Sequence, residues 1–273
     1  MNSKDIKKHL SDKVNDWVAS IDDITVAETI RSSAIITGGA LVSLLTGEAV
    51  NDYDVYFRTK DACVKVSQYY IDKWNKEHND DVFLEVDEEQ KTSGSVKIWV
   101  QSSGVAESRE DNEDDSKYTP IFLSSNAITL SNKVQIVIRF YGEVEDIHKN
   151  YDFVHCTCSW TSWDNEVQLP AKALECIINK ELVYTGSRYP LCSIIRTRKY
   201  IERGYSINAG QYVKMALQLN ELDLNNIDTL KDQITGVDSY YFKALLEDMH
   251  IAAKSGEKVD NSFIFEAIDK VFN

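Results

Sequence analysis

Two segments decide the fold of this chain, Ile35-Ile36-Thr37-Gly38-Gly39 and, after twelve intervening residues, Asp52-Tyr53-Asp54-Val55-Tyr56-Phe57. The first predicts a short apolar strand that runs into a Gly-Gly turn, followed by a helix over 40–45. The second predicts a strand with carboxylates at i and i+2, which project from one face and can reach one divalent cation. Glycines at the turn allow backbone N–H groups to approach a triphosphate. Together they predict nucleotidyl transfer.

This pattern resembles the DNA polymerase β-like nucleotidyltransferase superfamily, whose core is Gly-Gly or Gly-Ser, a short helix and Asp-x-Asp. It is also similar to the head domain of CCA-adding enzymes and bacterial poly(A) polymerases. Those read approximately GGxVRDxLLGxxxxDxDxx, and this chain reads GGALVSLLTGEAVNDYDVYF. Val42 and Ser43 replace the Arg-Asp pair of that family. The remaining sequence resembles phage-encoded nucleotidyltransferase-like proteins.

A third carboxylate on a neighbouring strand is expected to complete the metal site. Asp152 is the candidate, on a strand predicted over 150–160 beside a strand predicted over 133–141. Asp152-Phe153 matches the Asp-Phe of the family segment RRDFTINA, whose arginines are replaced by Asn150 and Tyr151. The alternative third ligands are carboxylates in a loop after Gly142, namely Glu143, Glu145 and Asp146.

A basic helix is predicted near the start of the C-terminal region. The segment 190–205 resembles the neck helix of the same family, DPLRLLRAIRFAAKLGF, and Arg198 matches the family's Arg before Phe. Arg196, Lys199 and Arg203 lie at i, i+3 and i+7, which places them on one helical face. That face is expected to meet the triphosphate or an acceptor backbone. The alternative is a salt-bridged surface face.

The periodicity predicts an α+β protein with two domains. Residues 1–169 form a mixed-sheet domain with N-terminal helices over 5–20 and 24–31, a helix over 62–78 and an acidic loop over 103–119. Further strands are predicted over 95–101, 127–131 and 133–141. Residues 170–273 form a helical domain, with helices over 171–184, 191–203, 211–222, 240–253 and 262–272.

The net charge of −14 argues against broad, non-specific binding of nucleic acid. The distribution is uneven, with a balance of −8 over residues 80–118 and +4 over 170–205. Five cysteines indicate reduced thiols and a cytoplasmic setting, and Cys156 and Cys158 beside His155 are expected to be buried apolar groups. No apolar run approaches the ~20 residues of a membrane span.

The predicted reaction moves an NMP from an NTP to an acceptor hydroxyl, with Mg²⁺ or Mn²⁺ held by Asp52, Asp54 and Asp152. Gly38 and Gly39 are expected to hold the phosphates. The expected partners are an NTP and an acceptor, which is an RNA 3′ end such as that of tRNA, a protein hydroxyl or a small molecule. The alternative is a non-catalytic module that binds nucleotide, RNA or protein on the same fold.

Overall fold

The computed structural model describes residues 1–86, 96–99, 117–224, 226, 229–230, 233, 251, 254 and 261–272. The chain forms two compact units. Unit 1 contains Met1–Lys149 and His155–Ile177, and unit 2 contains Asn150–Val154 and Ile178–Asn273. Unit 1 holds a sheet with helices, whereas the regular elements described in unit 2 are helices. The predicted α+β class is confirmed. The boundary predicted at residue 170 differs from this division, which keeps 170–177 with the sheet and moves 150–154 to the helices.

Nine α-helices are described over continuous ranges: α1 Ser3–Ala19, α2 Ile24–Ser33, α3 Gly39–Thr46, α4 Lys60–His78, α5 Val144–His148, α6 Ala171–Asn179, α7 Pro190–Glu202, α8 Ala209–Leu219 and α9 Asn261–Phe272. None of the helices in these parts of the chain is long and apolar enough to cross a bilayer. The helix predicted over 240–253 falls almost entirely outside the described residues, as do residues 103–116 of the predicted acidic loop.

The helix predicted over 171–184 is shorter than expected. It ends at Asn179, and Lys180 takes a left-handed φ of +48° that stops the helical hydrogen bonding. The next residues are extended, because Glu181 pairs with Ser206 and Tyr184 pairs with Phe153. Periodicity alone continues the helix here, and pairing between distant segments overrides it.

The described strands are β1 Ala34–Thr37, β2 Tyr53–Phe57, β3 Phe83–Val86, β4 Val96–Trp99, β5 Pro120–Leu123, β6 Ala127–Leu130, β7 Val134–Tyr141, β8 Ser159–Thr161 and β9 Glu166–Gln168. Seven of them form one sheet in the order β5-β6-β7-β2-β1-β8-β9, and β3 pairs with β4 separately. The β2–β7 pair is parallel and the other pairs of this sheet are antiparallel. The strand that carries Asp54 is therefore central.

An apolar row crosses the middle of the sheet. The register aligns one residue from each of five neighbouring strands, all of them buried: Ile128, Ile136, Val55, Ile36 and Trp160. Burial of side chains this large stabilises each by roughly 1.5–3 kcal/mol relative to exposure. Because a one-residue slip would turn this row to the opposite face, the row fixes the register of the strands around Asp54.

The strand predicted over 150–160 is wrong for most of its length. Within this range only Ser159 and Trp160 belong to a strand of the sheet, and that strand, β8, pairs with β1 and β9 instead of the predicted neighbour at 133–141. Residues 154–156 form a 3₁₀ turn. The backbone of the preceding residues bonds within unit 2, where the Thr185 N–H donates to the Asp152 carbonyl at 3.0 Å. These bonds remove the segment from the sheet.

Candidate functional site

Asp52 and Asp54 share one face of the central strand. Asp54 lies within β2 and is half-buried, whereas Asp52 is exposed and immediately precedes the strand, which begins one residue later than predicted. Tyr53 lies between them and points to the other face, where its hydroxyl is 2.7 Å from Nε2 of His9 on α1. Alternation along the strand therefore turns both carboxylates away from α1.

Tyr53 holds β2 in place from the face opposite the two carboxylates. The Lys13 ammonium lies 5.2 Å from the centre of the Tyr53 ring and also donates to the Asn132 carbonyl at 2.6 Å. The Tyr53 N–H donates to the Lys133 carbonyl at 2.7 Å. Burial raises the pKa of the Tyr53 phenol, so this group stays neutral at physiological pH. The side chain and the backbone of Tyr53 together fix the segment between the two carboxylates.

The Gly-Gly turn has two distinct requirements. Gly38 has φ +86° and ψ −142°, a conformation that side-chain-bearing residues rarely adopt, and it directly precedes α3. Gly39 is already helical, and a Cβ built on it meets no atom within 4 Å. Gly38 is thus required by the backbone, whereas Gly39 leaves open space at the first turn of α3. That turn presents backbone N–H groups with no partner inside the helix.

The turn and the carboxylate strand meet through Thr37. The β1–β2 pairs run from Ala34↔Phe57 to Ile36↔Val55, and continuing this register by one residue places Thr37 opposite Asp54. A polar row therefore crosses the sheet next to the apolar one, formed by Thr129, Gln135, Asp54, Thr37, Ser159 and Gln168. Asp54 lies in the middle of this row, opposite Thr37, and Thr37 is the residue that directly precedes the Gly-Gly turn.

His148 is a site residue that sequence reasoning missed. Its Nε2 lies 2.8 Å from the Thr37 hydroxyl, which also donates to the Cys158 carbonyl at 2.8 Å. Burial lowers the pKa of His148 to about 4, so the ring is neutral at physiological pH. The sequence offers no periodic signal for this contact, since 111 residues separate the two partners.

The strands beside β2 do not supply the third carboxylate. The sequences of β1, AIIT, and β7, VQIVIRFY, contain no Asp or Glu. The residue of β7 aligned with Asp54 is Gln135, whose amide nitrogen donates to the Thr129 hydroxyl at 3.4 Å. Among the described residues, no three His, Cys, Asp or Glu side chains form a metal-binding group by themselves.

The carboxylates after Gly142 lie on or next to the short helix α5. Glu143 precedes this helix and pairs with Arg58 at 2.6 Å. Asp146 pairs with Lys149 at 2.7 Å, and Glu145 is exposed. Both ion pairs are exposed to solvent, so they contribute little to stability. Two of the three alternative ligands are therefore engaged with cations of the protein.

Asp152 and Arg196, both predicted site residues, meet inside unit 2. A guanidinium nitrogen of Arg196 donates to Oδ2 of Asp152 at 2.9 Å. The Asp152 side chain is 8% exposed and that of Arg196 39%. Burial acts to lower the pKa of Arg196, but the charge and hydrogen bond of Asp152, together with nearby Cys192 and Tyr200, outweigh it and the net shift is upward. Asp52 and Asp54 belong to unit 1, so the three predicted ligands are divided between the units.

The basic residues predicted on one face of α7 have different environments. Arg196 turns inward to Asp152, whereas Lys199 is exposed. Arg203 directly follows the helix, and its carbonyl accepts from Lys180 at 3.1 Å. Arg198 is exposed and pairs with Glu202 at 3.1 Å. Arg198 has the ion pair of the surface-face alternative and Lys199 shares its exposure, while the expected contact of this helix with a triphosphate or acceptor stays a prediction.

The five cysteines are buried and free, as the sequence predicts. Cys156 lies 3.3 Å from Nε2 of the adjacent His155. Burial raises the pKa of the Cys158 thiol to about 12, so this thiol is not a ready nucleophile or metal ligand. The cysteines in the described part of the chain thus behave as small apolar groups.

Comparison with known proteins gives a family. The model of the Gabija anti-defense 2 family matches residues 8–180, which include Gly38, Gly39, Asp52, Asp54 and Asp152. The chain belongs to the Gabija anti-defense 2 family. A relative named Gabija anti-defense 2, from Bacillus phage SPbetaL7, is 24% identical over 260 residues, which are 94% of this chain and 53% of the relative. The chain therefore spans about half the length of the curated relative that it matches.

Two solved structures similar to this family member are CCA-adding enzymes. The enzyme of Bacillus stearothermophilus in complex with CTP is 12% identical with a TM-score of 0.41, over 82% of this chain and 50% of that one. The enzyme of Thermotoga maritima complexed with tRNA is 11% identical with a TM-score of 0.43, over 95% and 65%. The phage relative agrees with the resemblance to phage-encoded proteins that the sequence shows.

Proposed function

We propose that this chain transfers a nucleoside monophosphate from an NTP to an acceptor hydroxyl. The observation that carries the proposal is the alignment of Asp54 with Thr37, because it sets a two-carboxylate strand beside a glycine turn and a helix N-terminus. The combination is specific, since either feature alone is common in proteins of unrelated function. Gly38 shapes the turn, and Gly39 leaves room for phosphate oxygens at the N–H groups of α3.

The donor set fits Mg²⁺ or Mn²⁺. Magnesium in phosphate-transferring sites is bound by one or two carboxylates, with substrate phosphates and water as the remaining ligands. Asp52 and Asp54 supply such a pair without a third carboxylate from β1 or β7. When bound there, the cation would neutralise phosphate charge and lower the pKa of the acceptor hydroxyl.

The two carboxylates of unit 1 have defined roles in this proposal, since Asp52 and Asp54 would hold the cation beside the phosphates. The acceptor hydroxyl releases its proton to water as its oxygen bonds to the α-phosphorus, and the bond from that phosphorus to the leaving pyrophosphate breaks. Asp152 and Arg196 pair with each other in unit 2, and their roles as a third carboxylate and a phosphate ligand stay predictions. The same holds for Arg198 and Lys199, which are exposed, and for Arg203, which is half-buried.

The phage relative is named for an anti-defense role, and we extend that role to this chain. In this proposal the acceptor belongs to the Gabija defence and is a protein hydroxyl or an RNA 3′ end. The charge of −14 favours the protein acceptor, because an RNA-modifying surface normally neutralises several phosphates. Transfer of an NMP would add a charged group to the target at the modified hydroxyl.

The experiment compares the wild type, the double variant Asp52→Ala/Asp54→Ala and the control Asp81→Ala, which removes an exposed aspartate outside the site. Each protein is mixed with each α-labelled NTP, Mn²⁺ or Mg²⁺, and either total RNA with tRNA or an extract of cells that carry the defence. Label on RNA or protein with the wild type and Asp81→Ala, and background label with the double variant, is the expected result. Equal labelling by all three refutes the proposal.

A second candidate is a non-catalytic binding module on the same fold. The absence of a carboxylate on β1 and β7 favours it, because a two-metal site ordinarily uses more than two protein ligands. Plating of a Gabija-sensitive phage on defended cells separates the two functions. If the double variant restores plating as well as the wild type at equal protein level, the chain acts by binding. Loss of plating in the double variant alone supports transfer.

A further inference from the structure

The contact between His148 and Thr37 has a defined direction. The Thr37 hydroxyl has one proton, and the Cys158 carbonyl 2.8 Å away can only accept it. The second partner of that hydroxyl, Nε2 of His148 at 2.8 Å, must therefore be the donor. This assigns the proton of the neutral imidazole to Nε2, a tautomer that only the surrounding hydrogen bonds can select.

The position of Thr37 gives this hydrogen bond a functional consequence. Thr37 is fully buried and ends β1, so the next residue, Gly38, already has the φ of +86° that forms the turn. Continuing the β1–β2 register by one residue also places Thr37 opposite Asp54 on the neighbouring strand. Any rotation or shift of Thr37 would therefore move both the first N–H groups of α3 and the spacing between turn and carboxylate.

His148 reaches this position from a separate element. It is the last residue of α5, which follows β7 after the Gly142 turn, where the Gly142 N–H donates to the Phe57 carbonyl at 3.0 Å. Arg58 and Glu143 pair next to that contact. The chain just before α5 is thus attached to Phe57, at the C-terminal end of β2. The last residue of α5, His148, lies beside Thr37, the residue that precedes the Gly-Gly turn.

We propose that His148 is a positioning residue of the nucleotide site, which holds Thr37 and thereby the Gly-Gly turn in the geometry that receives the triphosphate of an NTP. The inference rests on the proposed function for the identity of the ligand, but not for the positioning itself. His148 does not touch the substrate in this proposal. Its effect passes through the Thr37 hydroxyl.

The test uses three variants of the full chain. His148→Gln keeps a nitrogen donor near the position of Nε2, His148→Leu removes the donor at similar volume, and Thr37→Val removes its acceptor. The first readout is the Kd of a non-hydrolysable NTP analogue with Mg²⁺. We expect the Kd to rise about tenfold in His148→Leu, as for one lost hydrogen bond, and to stay within about threefold in His148→Gln. In Thr37→Val the rise should be at least as large, because this variant also loses the hydrogen bond to the Cys158 carbonyl. The double variant His148→Leu/Thr37→Val should show little further loss.

A second readout needs no nucleotide. Hydrogen exchange of the amides over 37–40 should accelerate in His148→Leu and return towards the wild-type rate in His148→Gln, while urea midpoints show that all variants fold. If wild-type protein binds no analogue but these exchange rates change as stated, the proposed function fails and the positioning stands. If Leu and Gln give equal binding and equal exchange, the positioning role is refuted.

Discussion

The ion pair between Asp152 and Arg196 makes a quantitative prediction about unit 2. The atoms lie 2.9 Å apart, and Asp152 is 8% exposed. Removing one partner of a fully buried pair costs about 3–5 kcal/mol, because the other charge is left without compensation. Arg196→Met leaves the buried carboxylate, so we expect a cost of about 3 kcal/mol. Asp152→Ala leaves a guanidinium that is 39% exposed, so water compensates it and the expected cost is about 2 kcal/mol.

The double variant distinguishes pairing from two independent effects. With both charges removed, neither desolvation penalty remains, and the cost should be about 2 kcal/mol smaller than the two single costs together. The backbone bonds that hold this segment persist in every variant, since the Val154 N–H donates to the Val183 carbonyl and the Thr185 N–H to the Asp152 carbonyl, each at 3.0 Å. The comparison therefore isolates the side-chain pair.

The assay must report on unit 2 alone. Native-state hydrogen exchange of the α7 amides gives the free energy of opening of this unit. Tryptophan fluorescence in urea is the internal control, because all five tryptophans belong to unit 1: Trp17, Trp74, Trp99, Trp160 and Trp163. Coupling within about 0.5 kcal/mol of zero in the exchange data would refute the reasoning.

Three further predictions concern unit 1. Tyr53→Phe loses the 2.7 Å hydrogen bond to His9 and should lower the free energy of unfolding by about 1 kcal/mol, measured by fluorescence in urea; an unchanged midpoint contradicts the anchoring role. Gly38→Ala should lower the free energy of unfolding by about 1–3 kcal/mol, because Gly38 has a φ of +86°. Gly39→Ala should fold at least as stably as the wild type and lose NTP binding. Equal stability of the two variants would exclude the assigned turn geometry. Burial lowers the pKa of His148 to about 4, so His148 binds a proton at a higher pH in the unfolded state than in the folded state. The contribution of this residue to stability is therefore complete above pH 6.5 and is lost as the pH falls towards 4. The wild type should lose about 2–3 kcal/mol more than His148→Gln over this range, and parallel pH curves would show that the ring is not buried as described.

The candidate site was predictable where its signal is local. Gly38-Gly39, the helix after them and the alternation around Tyr53 are properties of a few consecutive residues, and each lies where the sequence places it to within a residue. The helices α1, α2 and α7 also match their predicted ranges closely, because each carries a stripe of apolar residues at helical spacing. The strand predicted around Asp152 was wrong for the opposite reason. Its apolar residues fit a strand, but the backbone pairs with residues some thirty positions later.

The sequence by itself determined the glycine turn, the two carboxylates on one strand face and the α+β class, because local backbone preference and side-chain alternation are enough to specify them. The tertiary structure alone decided that Gln135 occupies the place beside Asp54, that Asp152 pairs with Arg196, and that His148 holds Thr37. Asp152 and Arg196 are 44 positions apart in the sequence, and Thr37 and His148 are 111 positions apart. Gln135 lies beside Asp54 because of the register between β2 and β7. Such contacts form only when the whole sheet and unit 2 have folded, and no short stretch of sequence carries a signal for them.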